Sequence, residues 1–529
     1  MPQRYYVTTP IYYVNDDPHI GHAYTTLACD VLARFKRLDG FDVKFLTGTD
    51  EHGQKVEKSA IAAGMDPQAF TDRVSQNFRE LAGFMNYSHD DFIRTTEDRH
   101  KRACQDLWRR LQEKGEIYLD TYAGWYAVRD EAFYAESELT AGPDGKKLAP
   151  SGAEAEWVEE PSYFFRLSAW QERLLAFYDE TPDFILPRTR RNEVISFVAG
   201  GLQDLSVSRT TFKWGVPVPG DADHIMYVWL DALTNYITAL GFPETETGEY
   251  AEYWPADLHM VGKDILRFHA VYWPAFLMAA GLAPPKRVFA HGWWTNEGRK
   301  ISKSLGNIID PIQLVGKYGL DPVRFFLLRE VPFGNDGDFS HAAMIGRMNG
   351  ELANDYGNLV QRVLSMIAKN AGGEVPETGE FTDADEALLA AARGLLPSVR
   401  EAMDVPAFHE ALGAIWTVVR AANAYVDQEA PWKLAKVDPA RMGTVLYVLA
   451  ETIRHLGVLT QAFMPDASAR ILDQLAVPED ARAFAFLGPD HALVAGTALP
   501  APEGVFPRYQ DDDKPGKGAR GKGTQGEEG

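Results

Sequence analysis

A strand, a helix and a second strand follow one another within the first fifty residues, and this order dictates a parallel sheet. Tyr5 to Thr9 is an apolar run of strand length. Ala23, Leu27, Ala28, Val31, Leu32 and Phe35 then recur at helical spacing, with Pro18 expected in the first turn and Gly40 closing the helix. Phe41 to Leu46 predicts the next strand, and Thr47 to Gly53 its exit loop. Strands joined through a helix lie parallel and need cover on both faces. The pattern resumes far downstream. Met226 to Leu230, Leu258 to Val261 and Arg287 to Ala290 predict strands, and Lys263 to Ala280 a helix. The stretch between is rich in turn residues, aromatics and charges. The expected fold class is therefore α/β: a Rossmann-like doubly wound parallel sheet split by an insertion domain. From Gly346 to Met464 Ala, Leu and Val recur at 3.6-residue spacing, which predicts a following α-helical bundle. The expected division is 1–115 and 224–291 for the two halves of the sheet domain and 116–223 for the insertion. A loop-bearing connector at 292–345, the bundle at 346–510 and a disordered, Gly- and Lys-rich tail at 511–529 complete it.

The formal charge of −22 repels nucleic acid at long range, so any RNA contact must come from local basic patches. The two cysteines, Cys29 and Cys104, can build neither a disulfide framework nor a four-cysteine zinc site. The first residues lack the apolar stretch of a signal peptide, and the longest apolar run, Ala270 to Leu282, is too short for a membrane span. A soluble, cytoplasmic protein with no membrane partner is expected.

Two short motifs carry the chemistry. His19-Ile20-Gly21-His22 opens the first helix, at the carboxyl end of the first strand, where ligands of parallel sheets bind and free amides attract phosphate. Two imidazoles there can donate to a phosphate gaining charge, and Gly21 permits close approach. Lys300-Ile301-Ser302-Lys303-Ser304, flanked by Gly298 and Gly306, is a cationic loop suited to phosphates that leave. Alone, the first reads equally well as a helix cap and the second better as a solvated turn. Together they describe a site that grips and breaks the triphosphate of ATP.

With both motifs in this order the chain resembles the class I aminoacyl-tRNA synthetases, whose signatures read His-Ile-Gly-His and Lys-Met-Ser-Lys-Ser, here with Ile301 for Met. Thr9-Pro10-Ile11-Tyr12-Tyr13-Val14-Asn15 and Gly48-Thr49-Asp50-Glu51-His52-Gly53 resemble the methionine-specific branch. The resemblance implies activation of L-methionine by Mg²⁺-ATP to an adenylate and transfer to tRNA(Met). It implies His19, His22, Lys300 and Lys303 as catalytic groups, and ATP contacts from these with Gly21, Gly262, Asp264, Ser302 and Ser304. It implies a methionine pocket of Ile11, Tyr13, Asp50, Trp229, Leu233, Tyr236, Ile265, Phe268, His269 and Trp273, with Asp50 on the α-ammonium. It further implies that Asn358, Arg362 and Trp432 read the CAU anticodon. On the residues alone, Ile265, Phe268, His269, Tyr272 and Trp273 share a helical face that suits a thioether and equally suits a core; Asp264 could be a helix N-cap.

Two departures stand out. Many relatives carry C-x-x-C zinc knuckles in the insertion, but Tyr122 to Phe133 holds no cysteine. A metal-free insertion is expected, held by packing and by ion pairs among Arg129, Asp130 and Glu131. Leu233 stands where some relatives have proline. No dimerisation module follows the bundle, so a monomer is expected. Rival readings are a synthetase for leucine, isoleucine, valine or cysteine, a tRNA-binding paralogue without catalysis, and a small nucleotidyltransferase.

Overall fold

The computed structural model describes residues 2–14, 17–130, 132–142, 145–301 and 307–510, with Lys300 described only as part of its strand. Seven strands form an all-parallel sheet: β1 (Arg4–Thr8), β2 (Tyr12–Tyr13), β3 (Asp42–Asp50), β4 (Asp91–Arg94), β5 (Ile185–Leu186), β6 (Leu258–Gly262) and β7 (Val288–His291). Their order is β5-β7-β6-β1-β3, with β2 and β4 both paired to β3. The chain leaves β1 toward β3 on one side and meets β6 on the other, so β1 marks the switch point of the sheet.

Helix α1 (Ile20–Leu38) crosses from β1 to β3 and buries Leu27, Ala28, Val31, Leu32 and Phe35 completely. Gly40 follows its end at φ +85, a conformation open to glycine without steric cost. The helix starts at Ile20 with His19 as its N-cap, so Pro18 precedes the helix instead of occupying its first turn. Strand β3 runs on to Asp50, shortly before α2 (Gln54–Ala62); most of the expected exit loop is strand, because Phe45 to Asp50 are buried on both faces.

Two other expectations need correction. Met226 to Leu230 is not a strand of the parallel sheet. Asp221–Met226 pairs antiparallel with Ser208–Arg209 and Pro217–Val218, and α3 (Val228–Leu233) begins two residues later. A short apolar run does not distinguish a strand end from a buried helix. The stretch read as insertion also gives β5, at Ile185–Leu186, to the parallel sheet beside β7. The rest of that stretch contains a six-stranded antiparallel sheet centred on the long ladder of Ile117–Ala127 with Glu154–Phe165. Beyond the sheet, α4 (Leu320–Arg329) leads into helices that include α5 (Asn358–Asn370), α6 (Phe408–Glu429), α7 (Pro431–Val437), α8 (Pro439–Thr460) and α9 (Pro465–Gln474). α8 is buried from Met442 to Thr460 save Tyr447, the mark of a central bundle helix. No helix among the described residues is long and apolar enough to cross a membrane.

Candidate active site and candidate nucleic-acid interface

The carboxyl ends of the parallel strands open into one cavity of about 760 Å³. Asp50 closes β3, Gly262 closes β6 and His291 closes β7; all three line it, as do His19, Gly21 and His22 from the start of α1. This is where the topology of an open α/β sheet leaves a crevice.

His19 and His22 form a reciprocal cap. The Gly21 amide donates to His19 Nδ1, and the His19 amide donates to His22 Nδ1, each at 3.1 Å. Both Nδ1 atoms accept, so in each neutral ring the proton sits on Nε2. The rings stack with centroids 3.9 Å apart. Burial lowers both imidazole pKa values; Asp264 pulls His19 partly back, while His19 lowers His22 further. A Cβ on Gly21 would lie 2.9 Å from His19 Cε1 and force the ring aside.

The other end of the cavity is aromatic. Trp229 and Phe268 stack at 3.7 Å with their planes 7° apart. Tyr236 donates its hydroxyl to His269 Nε2 at 2.6 Å, which requires His269 Nδ1–H to donate to the Ile265 carbonyl at 2.9 Å. Burial drives His269 down to about 4, so this wall is uncharged at neutral pH. Ile11, Tyr13, Asp50, Trp229, Leu233, Tyr236, Ile265, Phe268 and His269 all line the cavity. Trp273 does not. It is fully buried behind the wall, where its Nε1 donates to His259 Nε2 at 3.3 Å. The helix from Lys263 to Ala280 has a π-helical stretch at Phe268–Tyr272, which shifts the later residues in phase and takes Trp273 off the face of Phe268 and Tyr272.

Asp264 is not a helix N-cap: Gly262 holds that position, and the Asp264 carboxylate accepts from Trp293 Nε1 at 3.1 Å. A Cβ on Gly262 would meet Asp264 Oδ1 at 2.5 Å, so the glycine makes room for the carboxylate. The side chain of Lys300, together with Ser302, Lys303 and Ser304, lies outside the described residues.

In the helical region Arg362 lies with its guanidinium carbon 5.6 Å from the centre of the Trp432 ring and pairs with Asp427 at 2.9 Å. Trp432 is 43% exposed, and Ala430 before it takes the left-handed conformation that turns the chain from α6 into α7. Asn358 opens α5 one turn before Arg362, on the same side of the helix, and is exposed.

The family described as tRNA synthetases class I (M) matches residues 5–364, and the anticodon binding domain of methionyl tRNA ligase matches 375–526. The chain belongs to the methionyl-tRNA synthetase family. The methionine–tRNA ligase of Mesorhizobium japonicum is 58% identical over 98% of this chain and 99% of its own length, and that of Rickettsia bellii 56% identical over 97% and 100%. Mycobacterium tuberculosis methionyl-tRNA synthetase in complex with methionyl-adenylate superposes with a TM-score of 0.94, at 56% identity, over 96% of this chain and all of that one. The free-state structure of the same protein gives 0.88 at 52% identity, over 97% and 99%.

The cavity is also framed by contacts that sequence reasoning missed. Glu51 is wholly buried and takes a two-point contact from Arg94 at 2.7 and 2.9 Å. His52 Nδ1 meets Asp231 Oδ2 at 2.6 Å, and His100 Nε2 meets Asp231 Oδ1 at 2.7 Å. These contacts fix the segment after Asp50 against α3, which carries Trp229 and Leu233. Their only sequence signal is the Gly48–Gly53 string itself, since the partners are far away in the chain. In the insertion Arg129 pairs with Asp130 at 3.4 Å and donates to the Ser151 carbonyl at 2.7 Å, beside packed Ala127, Ala149, Ala153 and Ala155. Glu131 lies outside the described residues.

Proposed function

We infer that this chain joins L-methionine to tRNA(Met) in two steps. The methionine carboxylate attacks the α-phosphorus of ATP, pyrophosphate leaves and methionyl-adenylate forms. A terminal ribose hydroxyl of the tRNA then takes the acyl group, and AMP leaves. The observation that carries this reading is the continuous cavity that joins the His19–His22 pair to the Trp229–Phe268 wall. A phosphate site and a thioether site within one space suit an acyl phosphate.

Asp50 holds the α-ammonium. Ile11, Tyr13, Trp229, Leu233, Tyr236, Ile265, Phe268 and His269 enclose the side chain, and the sulfur gains about 0.3–1.5 kcal/mol per aromatic contact. Trp273 acts from behind, through His259 and Tyr236, which stacks on His259 at 4.1 Å. Gly21, Gly262 and Asp264 take the adenosine. The two Nε2–H groups donate to phosphate oxygens as charge builds; Lys300, Ser302, Lys303 and Ser304 do so from the other side. No covalent enzyme intermediate is needed, so rate comes from positioning and charge stabilisation. Magnesium would come as part of the ATP substrate and supply charge neutralisation on its phosphates; the imidazoles of His19 and His22 would be poor ligands for so hard a cation.

Trp432 stacks an unpaired anticodon base, and Asn358 and Arg362 read base edges once Arg362 exchanges Asp427 for RNA. The enzyme works in the cytoplasm as a monomer. Charging of a tRNA transcript with anticodon CAU tests this: methionine is attached, and replacing the CAU anticodon lowers the rate steeply. Equal charging of both transcripts would remove the anticodon reading.

A further inference from the structure

A second cavity, of about 280 Å³, lies where α4 meets α9 beneath the segment Val505, Phe506, Pro507. It shares no lining residue with the active-site cavity. Leu320, Met348, Leu352 and Phe506 make its walls apolar. Asp466 and Arg470 also reach the lining, and Asp321, in the first turn of α4, adds a buried carboxylate. Its Oδ2 accepts from the Ala467 amide at 2.5 Å and so caps α9, which has no side-chain cap of its own. Its Oδ1 is buried with no hydrogen-bond partner among the described residues, and the residue is 6% exposed.

Two cations, Arg324 and Arg470, stand near this charge, but neither hydrogen-bonds Oδ1. Arg470 donates to the Val505 carbonyl at 3.0 Å. Arg324 is committed to Asp30 at 2.6 Å and to the Phe463 and Ala462 carbonyls at 2.9 and 3.0 Å. Asp466, also in the lining, adds charge of the same sign. Burial, helped by Asp466 and opposed by the Ala467 amide, Arg324 and Arg470, raises the Asp321 carboxyl to about 6, so at neutral pH a carboxylate stands with one oxygen unpartnered. That arrangement is costly unless a donor completes it. The space, about 280 Å³, is many times the roughly 30 Å³ that a water occupies. An anion would meet repulsion, and a neutral polar molecule would leave the charge standing.

We propose that this cavity is a binding site for a small organic cation, an ammonium group on an apolar body, with Asp321 as its anionic anchor. The ammonium donates to Oδ1 and the body packs on Phe506, Met348 and Leu352. Such a ligand bridges α4, α9 and the segment that crosses them, so it stabilises their junction.

The probe is phenethylammonium, titrated calorimetrically into the full chain with methionine and a non-hydrolysable ATP analogue filling the active site. The expected result is saturable binding, with 2-phenylethanol, equal in shape but uncharged, binding about 10- to 100-fold more weakly. Asp321→Asn keeps an oxygen for the Ala467 amide, and is expected to lose the amine by the same factor while holding the wild-type exchange rate and melting temperature. Phe506→Ala removes only an apolar wall and weakens amine and alcohol alike, which keeps the test open if Asp321→Asn unfolds. No binding of the amine, equal binding of amine and alcohol, or an affinity unchanged in Asp321→Asn would overturn the proposal.

Discussion

The backbone amide of His19 donates to Nδ1 of His22 at 3.1 Å, and this bond dictates which ring nitrogen faces the ligand. With Nδ1 occupied as an acceptor, Nε2 carries the proton. His19 is set the same way by the Gly21 amide. The helix start thus fixes two neutral donors in orientation, the preorganisation that the proposed phosphate contacts call for.

Burial lowers both imidazoles below the ordinary value, so the free enzyme keeps them neutral on the alkaline side of that value and for some distance below it. Protonation of either ring would cost the acceptor that caps the helix. The kcat/KM for ATP in pyrophosphate exchange is therefore expected to show no inflection near pH 6.5 and to fall only at lower pH. A profile that breaks at the ordinary imidazole value would contradict the neutral pair.

His22→Ala removes one of the two donors. Exchange is expected to slow by about 10²–10³-fold. Methionine binding, followed by the fluorescence of Trp229 in the opposite wall, is expected to change little. A slowed reaction with methionine binding equally weakened would mean that the residue shapes the cavity instead of meeting the phosphates.

Asp231 bridges His52 and His100 at 2.6 and 2.7 Å with its side chain 1% exposed. Burial alone would raise its pKa; the two histidines outweigh burial and hold it well below the usual carboxylate range. A carboxyl with a depressed folded pKa stabilises the fold above its unfolded value of about 4, and that contribution is lost as pH falls below it. Asp231→Ala is expected to cost about 3 kcal/mol or more and to raise the KM for methionine, because the segment after Asp50 loses its anchor. Thermal melting and exchange kinetics read the two effects.

Trp432→Ala removes a stacking surface in the helical region. The KM for tRNA in charging is expected to rise by roughly 10- to 100-fold, while methionine-dependent exchange without tRNA stays at the wild-type rate. Loss of exchange would show that the change reaches the active site through the fold.

Metal analysis of the purified chain is expected to find no stoichiometric zinc, since the insertion offers Arg129, Asp130 and Ser151 contacts and packed alanines where a knuckle needs thiolates. One zinc per chain would overturn this expectation.

How much was legible in the sequence follows from the range of each interaction. The sheet around β1, α1 and β3 was readable because apolar spacing and Gly40 are local signals. That His19 and His22 stand together at the cavity was readable because both histidines belong to one helix start, four residues long. Trp273 was misplaced because a π-helical stretch resets the phase of a helix, and no residue spacing announces it. β5 was missed because two residues make a weak strand signal, and only pairing with β7 defines it. Asp231 and Arg94 were invisible because their roles depend on partners distant in the chain.

The central claim is that the cavity activates methionine. The most direct test is exchange of labelled pyrophosphate into ATP by the purified chain, with methionine, leucine, isoleucine, valine or cysteine supplied singly. The account predicts rapid exchange with methionine and only background with the other four. Exchange driven equally well by a branched-chain amino acid, or none with methionine, would contradict it.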